Sequence, residues 1–499
     1  MLRLSEVAAA LNAERSGADR VFSGVTTDSR AVRAGDLFVA LKGERFDGHD
    51  FVGRGKDQGA AAALVERHDP SWGDFPLLTV ADTRLALGAL SGFWRSRFDI
   101  PLVGLTGSCG KTTVKEMIAA ILSVQAGDEA VLATRGNLNN DIGMPLTLLE
   151  LRAVHRYAVI EMGMNHPGEI AYLTAIARPD VALITNARAA HLAGFPYLNP
   201  LPQAGKPSPH PSPASGRGGD REERLFQLGA NEKGACFDLV EQVARAKGEI
   251  FQGLAPNGTA VINADDPHAT LWKELAAGHR IIRFGLDPAA EVSGTFRLRP
   301  SASDIEMTTP AGKLSVALPL PGEHNVCNAL AAAAVAIALG LDNAAIARGL
   351  ATVAAIKGRL QKKPCLHGAA LIDDTYNANP GSVRAAIAVL AGLPGKKILV
   401  LGDMGELGDA ARALHAEIGA AAKAAGIDRM FTLGDLSAAA AEAFGQGGRH
   451  FEYIEDLLHE VENHLAPDVT VLVKGSRFMQ MERVVKSFEL REGQTCCSH

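Results

Sequence analysis

The sequence predicts an α/β protein of three domains: a small α/β N-terminal domain over 1–94, a central parallel-sheet domain over 95–356 and a doubly wound C-terminal domain over 357–499. Three observations predict it. A chain of 499 residues is long enough for about three domains at roughly 150 residues each. Apolar runs of strand length alternate with helix-length segments along most of the chain, as crossover-connected parallel sheets require. The pattern also changes character twice, at residue 101, where a buried-strand run enters a glycine-rich loop, and after 356, where a fresh strand and helix alternation begins.

Taken in order, DLFVAL, GAAAALV and PLLTV fall between residues 36 and 90, separated by glycine and charged residues, and give the first domain its strands. PLVGL at 101–105 is a five-residue buried strand; it runs into TGSCGKTT at 106–113 and then into VKEMIAAILSV, whose apolar spacing is helical. Further strands are expected at 157–161 (YAVIE), 181–185 (VALIT), 259–263 (TAVIN) and 280–284 (RIIRF). The run ALAAAAVAIALGL at 329–341 is shorter than the roughly 18–20 residues of a membrane span and reads as a buried helix. In the third domain the strands ALIDD, KKILVLG, RMFTLG and VTVLVKG alternate with the helices SVRAAIAVLAGL and ARALHAEIGAAAKAAG. One stretch breaks the pattern. Residues 196–237, rich in Pro, Gly, Ser and Arg, have no periodicity that could bury an apolar face, and read as a disordered surface insertion.

Composition excludes several classes. Apolar residues at 47% and charged residues at 21% are those of a folded soluble protein. A net charge of −6 with no long basic block argues against nucleic-acid binding. The N-terminus lacks the apolar core of a secretory signal, so a cytoplasmic location without a membrane span is expected. Six cysteines spread over the chain without a C-x-x-C pair give neither a disulfide framework nor a zinc ribbon.

The strongest chemical signal is the loop Gly107, Ser108, Cys109, Gly110, Lys111, Thr112, Thr113 between a strand and a helix. Its glycines let backbone N–H groups turn around phosphate oxygens, the helix N-terminus adds its dipole, Lys111 reaches the outer phosphates and Thr112 is placed to ligate Mg²⁺. The general phosphate-loop pattern would need glycine at 105, where this chain has Leu105, so the loop is a shorter variant. Glu161 ends a predicted strand at the sheet edge where ligands bind and is the candidate second oxygen ligand of that cation. His191 follows the strand VALIT and can reach the same edge, or be a plain surface residue. Lys247, taken alone, reads as a solvated helix lysine. NADDP at 263–267 reads as turn chemistry. Asn325 and Asn328 are either helix caps or amides offered to a base edge. Asp373 and Asp374 at a strand end suit a ribose or a metal, and Arg359 in the linker could bind a phosphate on domain closure.

A set of motifs in order, TDSR (27–30), GDLFVALKGERFDGHDF (35–51), TGSCGKTTVKEM (106–117), TRGNLNNDIGMPLTLL (134–149), IEMGMNHPGEI (160–170), HLAGF (191–195), ARAKGEIF (244–251), NADDP, GEHNVCNALAAAA (322–334), DDTYNANPGS (373–382) and LGDMGELG (401–408), resembles the Mur ligases of peptidoglycan synthesis. DDTYNANPGS and NLNND favour the dipeptide-adding branch. The resemblance implies a UDP-binding first domain, an ATP-binding second and a Rossmann-like third. It implies ATP-driven joining of D-Ala-D-Ala to UDP-MurNAc-tripeptide through an acyl phosphate, in a monomer. Carried over by motif, Lys111 holds the β- and γ-phosphates, Thr112 and Glu161 bind one Mg²⁺, His191 helps to bind a second, and Lys247 is a lysine carbamylated by CO₂, which turns a cation into an oxygen ligand. Asn325 and Asn328 match adenine-side and catalytic-site asparagines, Asp374 a nucleotide-contacting acid of the third domain and Arg359 a phosphate-binding arginine. Asp28, Ser29 and Arg30 match the UDP motif, Asn139 and Asn140 face the sugar-peptide, and Tyr376, Asn377 and Asn379 are candidates for the acceptor between the second and third domains. Competing readings are a sibling Mur or folylpolyglutamate-type ligase with another acceptor, and a nucleotide-binding module without catalysis.

Overall fold

The computed structural model describes residues 1–190, 192–194, 239–354 and 356–490. His191, the 196–237 segment and Cys236, Cys496 and Cys497 lie outside them. Cys109, Cys327 and Cys365 are free thiols. Among the described residues no helix is long and apolar enough to cross a membrane. The chain divides into two compact units, one of residues 1–164, 168–186 and 246–357, the other of the described parts of 165–167, 187–245 and 358–490.

In the first unit, β1 (Leu2–Arg3) pairs with β3 (Val21–Phe22), and β2 (Glu14–Ser16), β4 (Gly24–Thr26), β5 (Asp36–Val39), β6 (Ala62–Val65) and β7 (Leu77–Thr79) form a five-stranded sheet in the order β2-β7-β6-β5-β4, parallel except at β2. The helix Thr83–Arg95 follows, its first N–H groups capped by the Asp82 carboxylate. The Trp94 indole donates to Leu151 O at 3.1 Å and Arg84 pairs with Asp141. These contacts join the first 94 residues to the central sheet in one unit.

That sheet has nine strands: β8 (Leu102–Thr106), β9 (Val131–Ala133), β10 (Tyr157–Glu161), β11 (Val181–Ile184), β12 (Thr259–Asn263), β13 (Arg280–Gly285), β14 (Val292–Leu298), β15 (Ser303–Thr309) and β16 (Gly312–Leu318), in the order β16-β15-β14-β13-β12-β11-β8-β10-β9. The pairs from β9 to β14 are parallel, and β8, β10, β11 and β12 read as near-continuous apolar runs because helices cover them. The sequence reading left 292–318 unassigned. β14, β15 and β16 form an antiparallel meander whose burial alternates along β15 and β16, so the sheet is mixed. Val103, Leu105, Val159, Leu183 and Val261 share a core with Val114, Met117 and Ile121 of the helix Lys111–Ala126 and with the small side chains of the buried helix Glu323–Ala338. The chain leaves β8 for the far edge at β9 and later returns to β8's other side at β11, so β8 is the point where the strand order reverses and where α/β sheets bind ligands.

In the second unit, β17 (Gln361–Pro364), β18 (Ala370–Asp374), β19 (Lys396–Gly402), β20 (Arg429–Leu433), β21 (Gly448–Phe451) and β22 (Val469–Lys474) form a sheet in the order β17-β18-β22-β19-β20-β21, parallel except at β17. The two expected helices are Pro380–Ala391 and Ala411–Ala424.

Candidate active site

The loop after β8 takes the shape its glycines permit. Gly107 and Gly110 have φ of +154° and +83°, and a Cβ on them would overlap the Thr185 hydroxyl and the Asn328 carboxamide respectively. Gly110 precedes the helix that begins at Lys111, so the first-turn N–H groups have no intrahelical acceptor and the positive end of the helix dipole faces the loop. Lys111 Nζ donates to Gly107 O at 2.6 Å, and Thr112 is buried.

Two residues that sequence reasoning passed over frame this loop. Thr185 and Asn186 follow β11. Thr185 Oγ1 donates to Cys109 O at 2.7 Å, Asn186 O accepts from Ser108 N–H at 3.0 Å, and Asn186 Oδ1 accepts from Cys109 N–H at 2.9 Å. Two of the loop amides expected to turn toward phosphate are thus committed to Asn186. The signal was available: a polar pair directly after a buried strand, as at Glu161. Asn263 at the end of β12 supports the frame by donating to Thr185 O at 2.8 Å. The rest of NADDP is turn chemistry, as read: Asp265 N–H donates to Asn263 Oδ1 and His268 N–H to Asp266 Oδ1.

Glu161 ends β10, beside β8, and is 2% exposed. Its N–H donates to Thr134 Oγ1 at 2.9 Å and its Oε1 accepts from Asn139 Nδ2 at 2.8 Å, while Oε2 is buried without a partner among the described residues. A carboxylate oxygen left unpaired in the interior is costly unless a ligand completes it. Lys247, 1% exposed, lies in the helical stretch 239–248. It is not a solvated lysine. Burial pushes its ammonium well below the ordinary 10.5, the nearby Lys111 charge pushes the same way, and Cys109 opposes them. Glu249, also passed over, anchors the Lys247 segment: its carboxylate accepts from Gly168 N–H at 2.9 Å and Ala171 N–H at 3.1 Å at the start of the helix Glu169–Ala177. Among the described residues no three His, Cys, Asp or Glu side chains gather as a metal cage. Glu161 and Thr112 are two buried oxygen-bearing side chains at this edge.

Asn325 and Asn328 are not caps. They lie within the first turns of the helix Glu323–Ala338, whose N-cap is Gly322. Asn328 Nδ2 donates to Asn325 Oδ1 at 3.2 Å and Asn325 Nδ2 to Pro321 O at 2.8 Å, and Asn328 sits against Gly110 of the loop. In the N-terminal part, Arg30 makes a two-pronged contact with Asp28 at 2.9 and 2.8 Å, which lowers the Asp28 carboxyl to about 2. Ser29 O faces the Gln58 amide. Asn140 Oδ1 accepts from Gly143 N–H at 2.8 Å, a turn role.

Asp374 does not present a free acid. Its Oδ2 accepts from Lys474 Nζ at 2.6 Å and its Oδ1 from Leu360 N–H at 3.2 Å; Asp373 accepts from Thr375 and meets Lys363 at 3.4 Å. Lys474, at the end of β22, was missed because a lysine closing a strand gives no signal of what lies beside it. The Arg359 guanidinium stacks over the Tyr376 ring at 4.3 Å with its Nε buried and unpartnered, and Gly358 O accepts from Tyr376 N–H. Asn377 Oδ1 accepts from Ala378 N–H, and Asn379 is the N-cap of the helix Pro380–Ala391 in a capping box with Ser382. In LGDMGELG, Met404 N–H donates to His415 Nε2 at 2.9 Å while His415 Nδ1 meets Ala411 O at 2.7 Å, a pair of contacts that suits the neutral imidazole.

Comparison with known proteins follows the same order along the chain. Residues 21–84 match the model of the Mur ligase family catalytic domain, 105–201 and 236–336 the Mur ligase middle domain, and 358–477 the Mur ligase glutamate ligase domain. The chain is 44% identical over 497 residues, covering 99% of both chains, to an Escherichia coli (strain K12) protein named UDP-N-acetylmuramoyl-tripeptide--D-alanyl-D-alanine ligase, and 34% identical over 477 residues, covering 93% of both, to the Bacillus subtilis (strain 168) protein of that name. Among solved structures it is similar to MurF from Acinetobacter baumannii (TM-score 0.83, 36% identity, 97% of both chains) and to MurF ligase from Thermotoga maritima in complex with ADP (TM-score 0.73, 27% identity, 93% of this chain and 96% of that one).

Proposed function

This chain belongs to the Mur ligase family, and from that premise we propose that it joins D-alanyl-D-alanine to UDP-MurNAc-tripeptide at the expense of ATP, giving UDP-MurNAc-pentapeptide, ADP and phosphate for peptidoglycan synthesis. The observation that carries this reading is likeness along 99% of the chain to a ligase named for that dipeptide and tripeptide, together with a strand-end site of the chemistry the reaction needs.

The reaction must bring two anions together, a γ-phosphate and a peptide carboxylate. The loop 107–113 and the helix dipole receive the phosphates, and the Lys111 ammonium offsets the charge that builds as the γ-phosphoryl group moves to the carboxylate oxygen. The resulting acyl phosphate keeps its carbonyl carbon electrophilic. The amine of D-Ala-D-Ala attacks that carbon and loses a proton, a tetrahedral intermediate forms, and the C–O bond to phosphate breaks. Mg²⁺, held by Thr112 and Glu161, would neutralise charge on the phosphates; the unpartnered Glu161 Oε2 fits that role. His191 belongs to a second cation site in this reading. Asn325 and Asn328 line the nucleotide side, Arg359 is the phosphate-binding arginine, and Asp374 acts on the nucleotide through the strand end that Lys474 holds. Asp28, Ser29 and Arg30 serve the UDP group, Asn140 the sugar-peptide, and Tyr376, Asn377 and Asn379 the acceptor.

Lys247 enters this reading as a carbamate. An amine kept neutral by burial is the form whose lone pair adds to CO₂, forming an N–C bond and releasing a proton, and the product is an anionic oxygen ligand beside Lys111. ¹³C NMR under ¹³CO₂ is expected to give a carbamate resonance that Lys247→Met lacks; the same resonance in the variant overturns the assignment. The enzyme acts in the cytoplasm, where ATP is available, as a monomer.

The test is phosphate release from the purified protein with ATP, Mg²⁺ and UDP-MurNAc-tripeptide, with and without D-Ala-D-Ala. Release that depends on the dipeptide and accompanies a pentapeptide product supports the reading. No release from folded, ATP-binding protein overturns it in favour of another acceptor or a silent module, and deletion of 196–237 in a parallel sample separates an obstructive insertion from either.

A further inference from the structure

Asn139 was expected, with Asn140, to face the sugar-peptide. The strip from Thr134 to Asn139 meets Glu161 at both ends, its backbone N–H at one and its carboxylate at the other. At the first end, Thr134 Oγ1 accepts from Glu161 N–H at 2.9 Å, and Thr134 O accepts from Lys115 Nζ at 2.5 Å. Lys115 is one helical turn beyond Lys111, only 2% exposed, and is neutralised by Glu116 at 2.6 Å. A buried ammonium spent on a strand-end carbonyl fastens the phosphate-loop helix to the start of this strip. At the other end, Asn139 Nδ2 donates to Glu161 Oε1 at 2.8 Å, while Asn139 O accepts from Gly163 N–H at 2.8 Å. The backbone of Asn139 is therefore tied to the same chain segment that its side chain orients. Of the Glu161 carboxylate, only Oε2 is left without a partner.

We propose that Asn139 is a positioning residue for Glu161: its amide fixes the carboxylate rotamer so that Oε2 remains available to a divalent cation. This rests on the reading of Glu161 as a cation ligand. The choice of a neutral donor has a physical reason. An amide N–H holds one oxygen without cancelling the carboxylate's charge, whereas an ammonium or guanidinium in its place would compete with the cation. Lys115 and Thr134 fix the backbone from which that side chain extends, so the strip links the phosphate-loop helix to the carboxylate without using the nucleotide.

The experiment measures Mn²⁺ binding to the full chain in the presence of ADP by electron paramagnetic resonance, beside the Mg²⁺ concentration for half-maximal activity and the KM for UDP-MurNAc-tripeptide. Asn139→Ala is expected to weaken Mn²⁺ binding by about 10-fold or more, to raise the Mg²⁺ requirement in parallel, and to leave the tripeptide KM within about twofold. Asn139→Ser provides the same readout should the alanine variant misfold, and Lys115→Met is expected to shift Mn²⁺ binding in the same direction by less. An unchanged Mn²⁺ affinity with a raised tripeptide KM would make Asn139 a substrate contact and overturn the proposal. Glu161→Gln is the control: if it binds Mn²⁺ as tightly as the parent, the ligand reading of Glu161 fails first, and the proposal with it.

Discussion

Two largely parallel sheets in this chain carry acids at their strand ends, each in a unit that also buries a lysine, and the two use these charges in opposite ways. At the β8 and β10 edge, Glu161 keeps one carboxylate oxygen unpartnered and Lys247 is buried under conditions that disfavour its charge. At the β18 and β22 edge, Asp374 and Lys474 are buried side by side at 2.6 Å, Asp373 is satisfied by Thr375 and Lys363, and Arg359 lies on an aromatic ring. A strand-end acid is left incomplete in one sheet, where the buried lysine belongs to a helix, and is closed into an ion pair with a strand-end lysine in the other. An incomplete site is ready for cations and phosphates, while a closed one spends its charges on holding loops. Burial alone does not separate the two, since both lysines are 1% exposed; the partner does.

The largest effect that would test this contrast is on turnover. Lys111→Ala should lower D-Ala-D-Ala-dependent phosphate release by about 10²–10³-fold, the scale on which one preorganised charge or donor is felt, with circular dichroism unchanged. Turnover within a few-fold of the parent would remove the first edge from the chemistry. Next comes the pair of buried lysines. Lys474→Met strands the Asp374 carboxylate and is expected to cost about 3–5 kcal/mol in denaturant unfolding of the second unit. Lys247→Met removes an amine that folding forces toward neutrality, so it should hold or gain stability while losing activity. Equal destabilisation by the two substitutions would erase the distinction drawn between the edges.

A smaller effect concerns pH. Burial lowers the His415 pKa from its ordinary 6.5 more than its backbone partner raises it. Between that lowered value and 6.5 the unfolded chain binds the proton and the folded one does not, so stability is complete above 6.5 and is lost as the pH falls below it. The loss is at most about 1.4 kcal/mol per pH unit for one proton, and His415→Gln should flatten that part of the stability profile. An unaltered slope would assign the acid sensitivity to other groups. The smallest effect expected is that of Cys109→Ser. Residue 109 meets Asn186 and Thr185 through its backbone N–H and C=O, so the KM for ATP should stay within about twofold; a larger change would mean that the thiol itself contributes.

Much of the fold was legible because parallel strands buried on both faces leave continuous apolar runs: YAVIE, TAVIN and ALIDD are strands over the expected residues. The meander at 292–318 was passed over because its alternating pattern, in strands with one face exposed, resembles loop sequence to an eye set for buried runs. Within the site, Gly107, Gly110 and Lys111 announced themselves by spacing along the chain. Thr185, Asn186 and Glu249 did not, since each acts on residues that are 76 or more positions away.

By itself, then, the sequence determined which segments are strands and helices, where the phosphate loop lies and which family the chain resembles, because these follow from local periodicity, glycine placement and motif order. Only the tertiary structure decided which charges find partners. Whether Glu161 retains an unpartnered oxygen while Asp374 does not, and whether Lys247 is driven toward neutrality while Lys474 is held in an ion pair, depends on which side chains folding brings within about 3 Å of each other. Hydrogen bonding and desolvation are set at that range, and nothing in the order of residues along the chain records it.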